Sequence, residues 1–120
     1  MKSFILTTTG AILMMVACLS LAHTSATTSP KSGAVLTQSP PTIEIKFEHE
    51  ASLTSVVVVE AGKPERKLEF SPKGSGKLFT VANANLANGR SEIQWKALSK
   101  DGHVVSGSII LVVNPAQKSN

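Results

Sequence analysis

Between residues 42 and 47 apolar and polar positions alternate strictly. Ile43, Ile45 and Phe47 fall on one side, Glu44 and Lys46 on the other. A period of two predicts a half-buried strand, and Pro40-Pro41 marks where it starts. Residues 56–59 are an unbroken run of Val, expected of a strand covered on both faces or at the centre of a sandwich. Two short strands are predicted near residues 66–70 and 77–82, set apart by Gly62, Pro64, Pro72, Gly74 and Gly76. The last two strands are predicted over residues 92–98 and 105–113, joined by Ser99-Lys100-Asp101-Gly102-His103. Residues 24–38, rich in Thr, Ser, Pro and Gly, read as a coil leading into the domain, and residues 83–89 as a turn. Seven or so short strands with Gly and Pro between them predict an all-β chain, an antiparallel sandwich or Greek-key barrel.

The first 22 residues follow another pattern. Lys2 precedes a continuous apolar run over residues 11–19, the length of a secretory signal core and too short to cross a bilayer. Ser20-Leu21-Ala22 places small residues at the −3 and −1 positions. Residues 1–22 are therefore expected to be a cleaved signal peptide, with residues 23–120 as the exported, periplasmic domain. Val16-Ala17-Cys18 is a partial lipobox, with Met15 where Leu is usual, so lipidation at Cys18 is the competing route. Cleavage after Ala22 makes His23 the first residue, with its free amine beside its imidazole. An α-amine has an unperturbed pKa of about 7.7–8, so yielding its proton to a metal near neutral pH costs little.

Composition sharpens this through sulfur. The single Cys and all three Met (Met1, Met14 and Met15) precede Ala22. Residues 23–120, about 100 in number, suffice for one small domain. That domain has no disulfide, thiolate zinc site or catalytic cysteine. Lys and Arg outnumber Asp and Glu by 12 to 8, but they are scattered along the chain, as on a solvated surface. With no Tyr to help build a stacking platform, no nucleic-acid partner is expected. No second hydrophobic span follows the leader, so the exported product is expected to insert into no membrane.

The candidate chemistry is carried by three histidines. His103 stands two residues after Asp101, across Gly102. Asp-Gly is in the first place a hairpin signal, and such a turn is compatible with a carboxylate and an imidazole facing the same way. His49, in Phe47-Glu48-His49-Glu50, follows a strand end and on its own reads as a solvated loop residue.

Ala22-His23, then Ser29-Pro30 with Gly33 and Leu36, then Pro40 and the strand Ile43-Glu44-Ile45-Lys46-Phe47 occur in that order. Leu86, Gly89 and Trp95 follow, and last comes the stretch W-x3-S-x-D-G-H-x3-G, from Trp95 to Gly107. This arrangement resembles the CopC family of small periplasmic copper-binding proteins, over nearly all of residues 23–120. The resemblance implies a seven-stranded, Greek-key, immunoglobulin-like sandwich or barrel with one Cu(II) per chain at one end. Its implied ligands are the amine and imidazole of His23, the carboxylate of Asp101 and the imidazole of His103. Such an N,O set suits tetragonal Cu(II), although zinc or nickel could occupy the same donors. Some family members carry a second, methionine-rich Cu(I) site, which a domain without Met cannot build, so a Cu(II)-only protein is implied.

Three departures from the family pattern stand out. His49 replaces the acidic residue common two positions after the strand Phe, which makes it a candidate additional ligand or neighbour of the ligands. Ser91 replaces an aromatic after Gly89, and the spacing from His23 to Pro30 is one residue short. The implied function is a monomeric, non-enzymatic copper carrier, delivering to an inner-membrane copper importer or a periplasmic cuproprotein. An N-terminal His with a second imidazole also resembles the copper centre of polysaccharide monooxygenases. So small a domain without Tyr, however, has little of the flat aromatic face and pocket that oxidase chemistry needs. An immunoglobulin-like envelope interaction module without metal accounts for the strands but not for the placement of the histidines.

Overall fold

The alternation that begins at Ile43 does not stop at Phe47. In the computed structural model, which describes residues 26–116, one strand of 19 residues runs from Thr42 to Glu60. It joins two segments that the sequence pattern separates. No Gly or Pro occurs between Pro41 and Gly62, so nothing local ends the strand. The strand changes which parity it buries along the way: Ile43, Ile45, Phe47, Ala51 and Leu53 face the core, then Val56, Val58 and Glu60. The switch falls where the pairing register slips between Leu53 and Ser55. One extra residue there, Thr54, turns the pleat over, and its hydroxyl donates to Lys96 O at 3.1 Å.

The elements in chain order are β1 (Ala26–Ser29), β2 (Ala34–Leu36), β3 (Thr42–Glu60), β4 (Arg66–Lys67), β5 (Phe70–Ser71), β6 (Ser75–Ala82), β7 (Gly89–Ser99) and β8 (Val104–Val113). The described residues are all β, as expected, with eight strands rather than seven. They form one mixed sheet in the order β2-β8-β7-β3-β6-β5, with β1 and β4 also paired to β3. All pairings are antiparallel except β2 with β8. The sheet curls on itself, so that Phe79 of β6 and Ile109 of β8 are buried in one core. Phe47 packs edge-on to Phe79 with centroids 5.8 Å apart and to Trp95 at 5.3 Å.

Two expectations are corrected. The stretch 24–38, read as coil, supplies β1 and β2. Each is only three or four residues long, and each is an edge that exists because β3 or β8 offers it a ladder. Ser32 Oγ accepts the Ile110 N–H at 2.9 Å, and Asn114 N–H donates to Leu36 O at 2.7 Å. The strand expected at 66–70 divides into β4 and β5, because its two ends pair with different strands, β3 and β6. Residues 83–88 form the expected irregular turn, in which Asn83 and Asn85 adopt positive φ, a conformation Asn tolerates better than most residues.

Candidate metal centre at the end of the sheet

The β7–β8 hairpin closes after the pair Leu98↔Val104. Gly102 N–H donates to Ser99 O at 3.0 Å, and Ser99 N–H to His103 O at 2.8 Å. Gly102 has φ +90°, the left-handed residue that a short hairpin of this kind requires. The Asp-Gly hairpin signal is therefore realised, and it folds Asp101 and His103 back against each other. Asp101 Oδ2 and His103 Nδ1 are 2.9 Å apart, with the side chains 67% and 80% exposed.

Ser99 completes this cluster. Its hydroxyl hydrogen-bonds to Asp101 Oδ1 and lies 3.0 Å from His103 O. The backbone N–H of His103 also donates to Asp101 Oδ1, at 3.3 Å. These bonds, that from the Ser99 hydroxyl first and those from His103 next, hold the Asp101 carboxyl well below its ordinary value, at about 2. The group is thus an anion throughout the neutral range, free to meet a cation.

The ladder around β3 determines what else lies at this end. Ala51 pairs with Gly76 of β6 on one edge and with Ser99 of β7 on the other. Lys46 pairs with Leu78 of β6 and with Thr27 of β1. Hence β1 and β7 share one edge of β3. Strand β1 begins at Ala26, opposite Phe47, and β7 ends at Ser99, opposite Ala51. Phe47 and Ala51 are separated by at most about 13 Å of strand. Between them Glu48, His49 and Glu50 are exposed, in a bulge where β3 goes from Lys46 to Ala51 while β6 goes only from Leu78 to Gly76. The start of β1, the His49 bulge and the Asp101–His103 turn therefore share one end of the sheet. Ala26, Thr27, Lys46, Phe47 and Glu48 line a shallow recess there. A second open trough, lined by Val57, Glu92, Gln94, Trp95 and Ser108 among others, has no histidine among its described lining residues.

Of the four residues singled out as ligands by the sequence, the structure brings two into contact, Asp101 and His103. His49 is at the same end, yet among the described residues no three His, Cys, Asp or Glu side chains are gathered as a metal set. His23, like the expected signal peptide and Cys18, lies outside the described residues. Ser99 is a member of the cluster that residue type alone did not select. Its signal was its position two residues ahead of Asp101.

Residues 25–114 match the CopC domain family. Among solved structures, the chain is similar to CopC from Methylosinus trichosporium OB3b, at 22% identity and a TM-score of 0.59, over 78% of this chain and 94% of that one. It is similar also to PcoC, a copper resistance protein from Escherichia coli, at 16% identity and a TM-score of 0.55, over 73% and 96% of the two chains. A second PcoC structure, described as methionine rich, gives 17% identity and a TM-score of 0.54, over 73% and 94%. Identities this low establish the shared fold. No curated protein matches the chain.

Proposed function

The chain belongs to the CopC family, and on that premise we propose that it is a periplasmic copper-binding carrier. Its cargo is one Cu(II), held by the amine and imidazole of His23, the carboxylate of Asp101 and the imidazole of His103. The observation that carries this reading is the Asp101–His103 pair, an anion and an imidazole 2.9 Å apart on an exposed turn. Three nitrogens and one carboxylate oxygen favour copper among the divalent metals, near the top of the affinity order. Chain length agrees with the set. Two residues, Thr24 and Ser25, separate His23 from Ala26, three steps with a reach of about 10 Å when extended, comparable to the offset between Ala26 and Ser99 along the β3 edge.

The soft-metal alternative lacks donors. The E. coli relative is described as methionine rich, whereas no Met follows Met15 here, so a thioether site for Cu(I) has nothing to form from. A centre on an exposed hairpin end leaves the ion open to a partner's ligands, which suits delivery to a membrane importer or a periplasmic cuproprotein.

The test uses the exported protein and a variant whose processed chain carries one extra Ala ahead of His23. Intact mass establishes the amino terminus in each, and Cu(II) titration compares them. The inserted residue should weaken binding sharply, because the amine and imidazole no longer belong to one residue. Equal affinity would remove the His23 amine from the site.

A further inference from the structure

The donor set proposed above leaves Ser99 without a task, although its hydroxyl hydrogen-bonds to one of the ligands. Asp101 Oδ1 takes the Ser99 hydroxyl and the His103 N–H at 3.3 Å. Oδ2 is thereby left facing His103 Nδ1 at 2.9 Å. A carboxylate on an exposed turn otherwise rotates broadly about its last bond, so these two bonds decide which oxygen meets the imidazole.

We propose that Ser99 is a positioning residue for copper capture: by holding Asp101 Oδ1 it presents Oδ2 and His103 Nδ1 as a preformed pair of neighbouring donors. The proposal rests on the reading of Asp101 and His103 as ligands. At 2.9 Å the two atoms stand at ordinary hydrogen-bond distance, and an ion held by both Asp101 and His103 would take the place of that contact.

Ser99→Thr and Ser99→Val differ chiefly in the hydroxyl and both suit a strand end. The exported wild type and the two variants are titrated with Cu(II), and their EPR spectra are recorded at one equivalent. Ser99→Val should bind about tenfold more weakly, as when a partner of a metal ligand is lost, with shifted copper hyperfine and g values. Ser99→Thr should restore both. Wild-type affinity and spectrum in Ser99→Val would overturn the proposal, as would equal weakening in both variants, since bulk rather than the hydroxyl would then be at fault. Asp101→Asn and His103→Ala separate the two levels of the argument. If these bind copper like the wild type, the ligand assignment fails. If they lose it while Ser99→Val does not, only the role of Ser99 fails.

Discussion

The indole of Trp95 lies across the backbone of Gly107 so closely that a Cβ at position 107 would stand 2.5 Å from its Cζ2 and 2.7 Å from its Cε2. The two are register partners on β7 and β8. Position 107 has the same parity as the inward-facing Ile109, Leu111 and Val113, so any side chain there would enter the core. The ring fills the room that the missing side chain leaves. Two separated letters of the W-x3-S-x-D-G-H-x3-G pattern are thus one packing unit, joined by the hairpin that carries Asp101 and His103. Gly107→Ala should destabilise the protein by about 1–3 kcal/mol through overpacking, with an altered Trp emission maximum. Unchanged stability in denaturant titration would mean that the indole has room to move.

Glu60 fastens the far end of β3 to the irregular segment 83–88. Its Oε2 accepts the Ala87 N–H at 2.9 Å, and its Oε1 is 3.3 Å from Arg66, which also donates to Ala84 O at 2.8 Å. Burial pushes the Glu60 carboxyl up, but the Ala87 N–H, Arg66 and Lys63 outweigh it and the net shift is downward. A lowered carboxyl stabilises the fold fully above its ordinary value of 4.5 and ceases to do so as pH falls through its folded value. Arg66 is 41% exposed, so the ion pair itself adds little. Glu60→Gln should cost about 1 kcal/mol at neutral pH. The gap between variant and wild type should narrow on acidification below pH 4.5, read by unfolding curves across the range. A gap that stays constant with pH would show that the charge contributes nothing.

Ser91 is wholly buried at the start of the β7–β8 ladder, and among the described residues its Oγ has no hydrogen-bond partner. A buried hydroxyl left without a partner costs about 1–3 kcal/mol. Ser91→Ala should therefore raise stability, by about 1 kcal/mol once the lost packing is offset, seen as a higher denaturant midpoint at unchanged slope. A lower midpoint would mean that the hydroxyl is satisfied in solution.

His49 shares the end of the sheet with Asp101 and His103 but is not gathered with them. His49→Ala should leave the nitrogen couplings in the Cu(II) EPR spectrum, and the affinity, as in the wild type. Loss of a nitrogen coupling would add His49 to the donor set.

The candidate site was legible in the sequence where its chemistry is local. Asp101, Gly102 and His103 are consecutive, and a turn that needs a left-handed residue at its third position can be read from that Gly alone. Ser99 was not legible as a partner of Asp101, because a serine at a strand end has many acceptors and only the closed hairpin selects one. The nearness of His49 to the turn was implied only by the family resemblance, and that of Ala26 was hidden. Both follow from Ala51 pairing with Ser99 and Phe47 with Ala26, contacts between segments far apart in the chain.

The residues by themselves determined that the described part of the chain is all β and where most of its long strands lie, since alternation and turn chemistry act between near neighbours. They determined as well which ligands residues 23–120 offer, because every Met and the Cys precede Ala22. Tertiary structure decided the rest. β1 and β2 exist only as edges of β3 and β8, having too few apolar residues to announce themselves. The two segments of β3 became one strand because separate partners, β6 with β1 and then β7 with β4, continue along it. That continuity also set the N-terminal strand and the Asp101–His103 turn on the same edge, since register, unlike periodicity, depends on the partner strand.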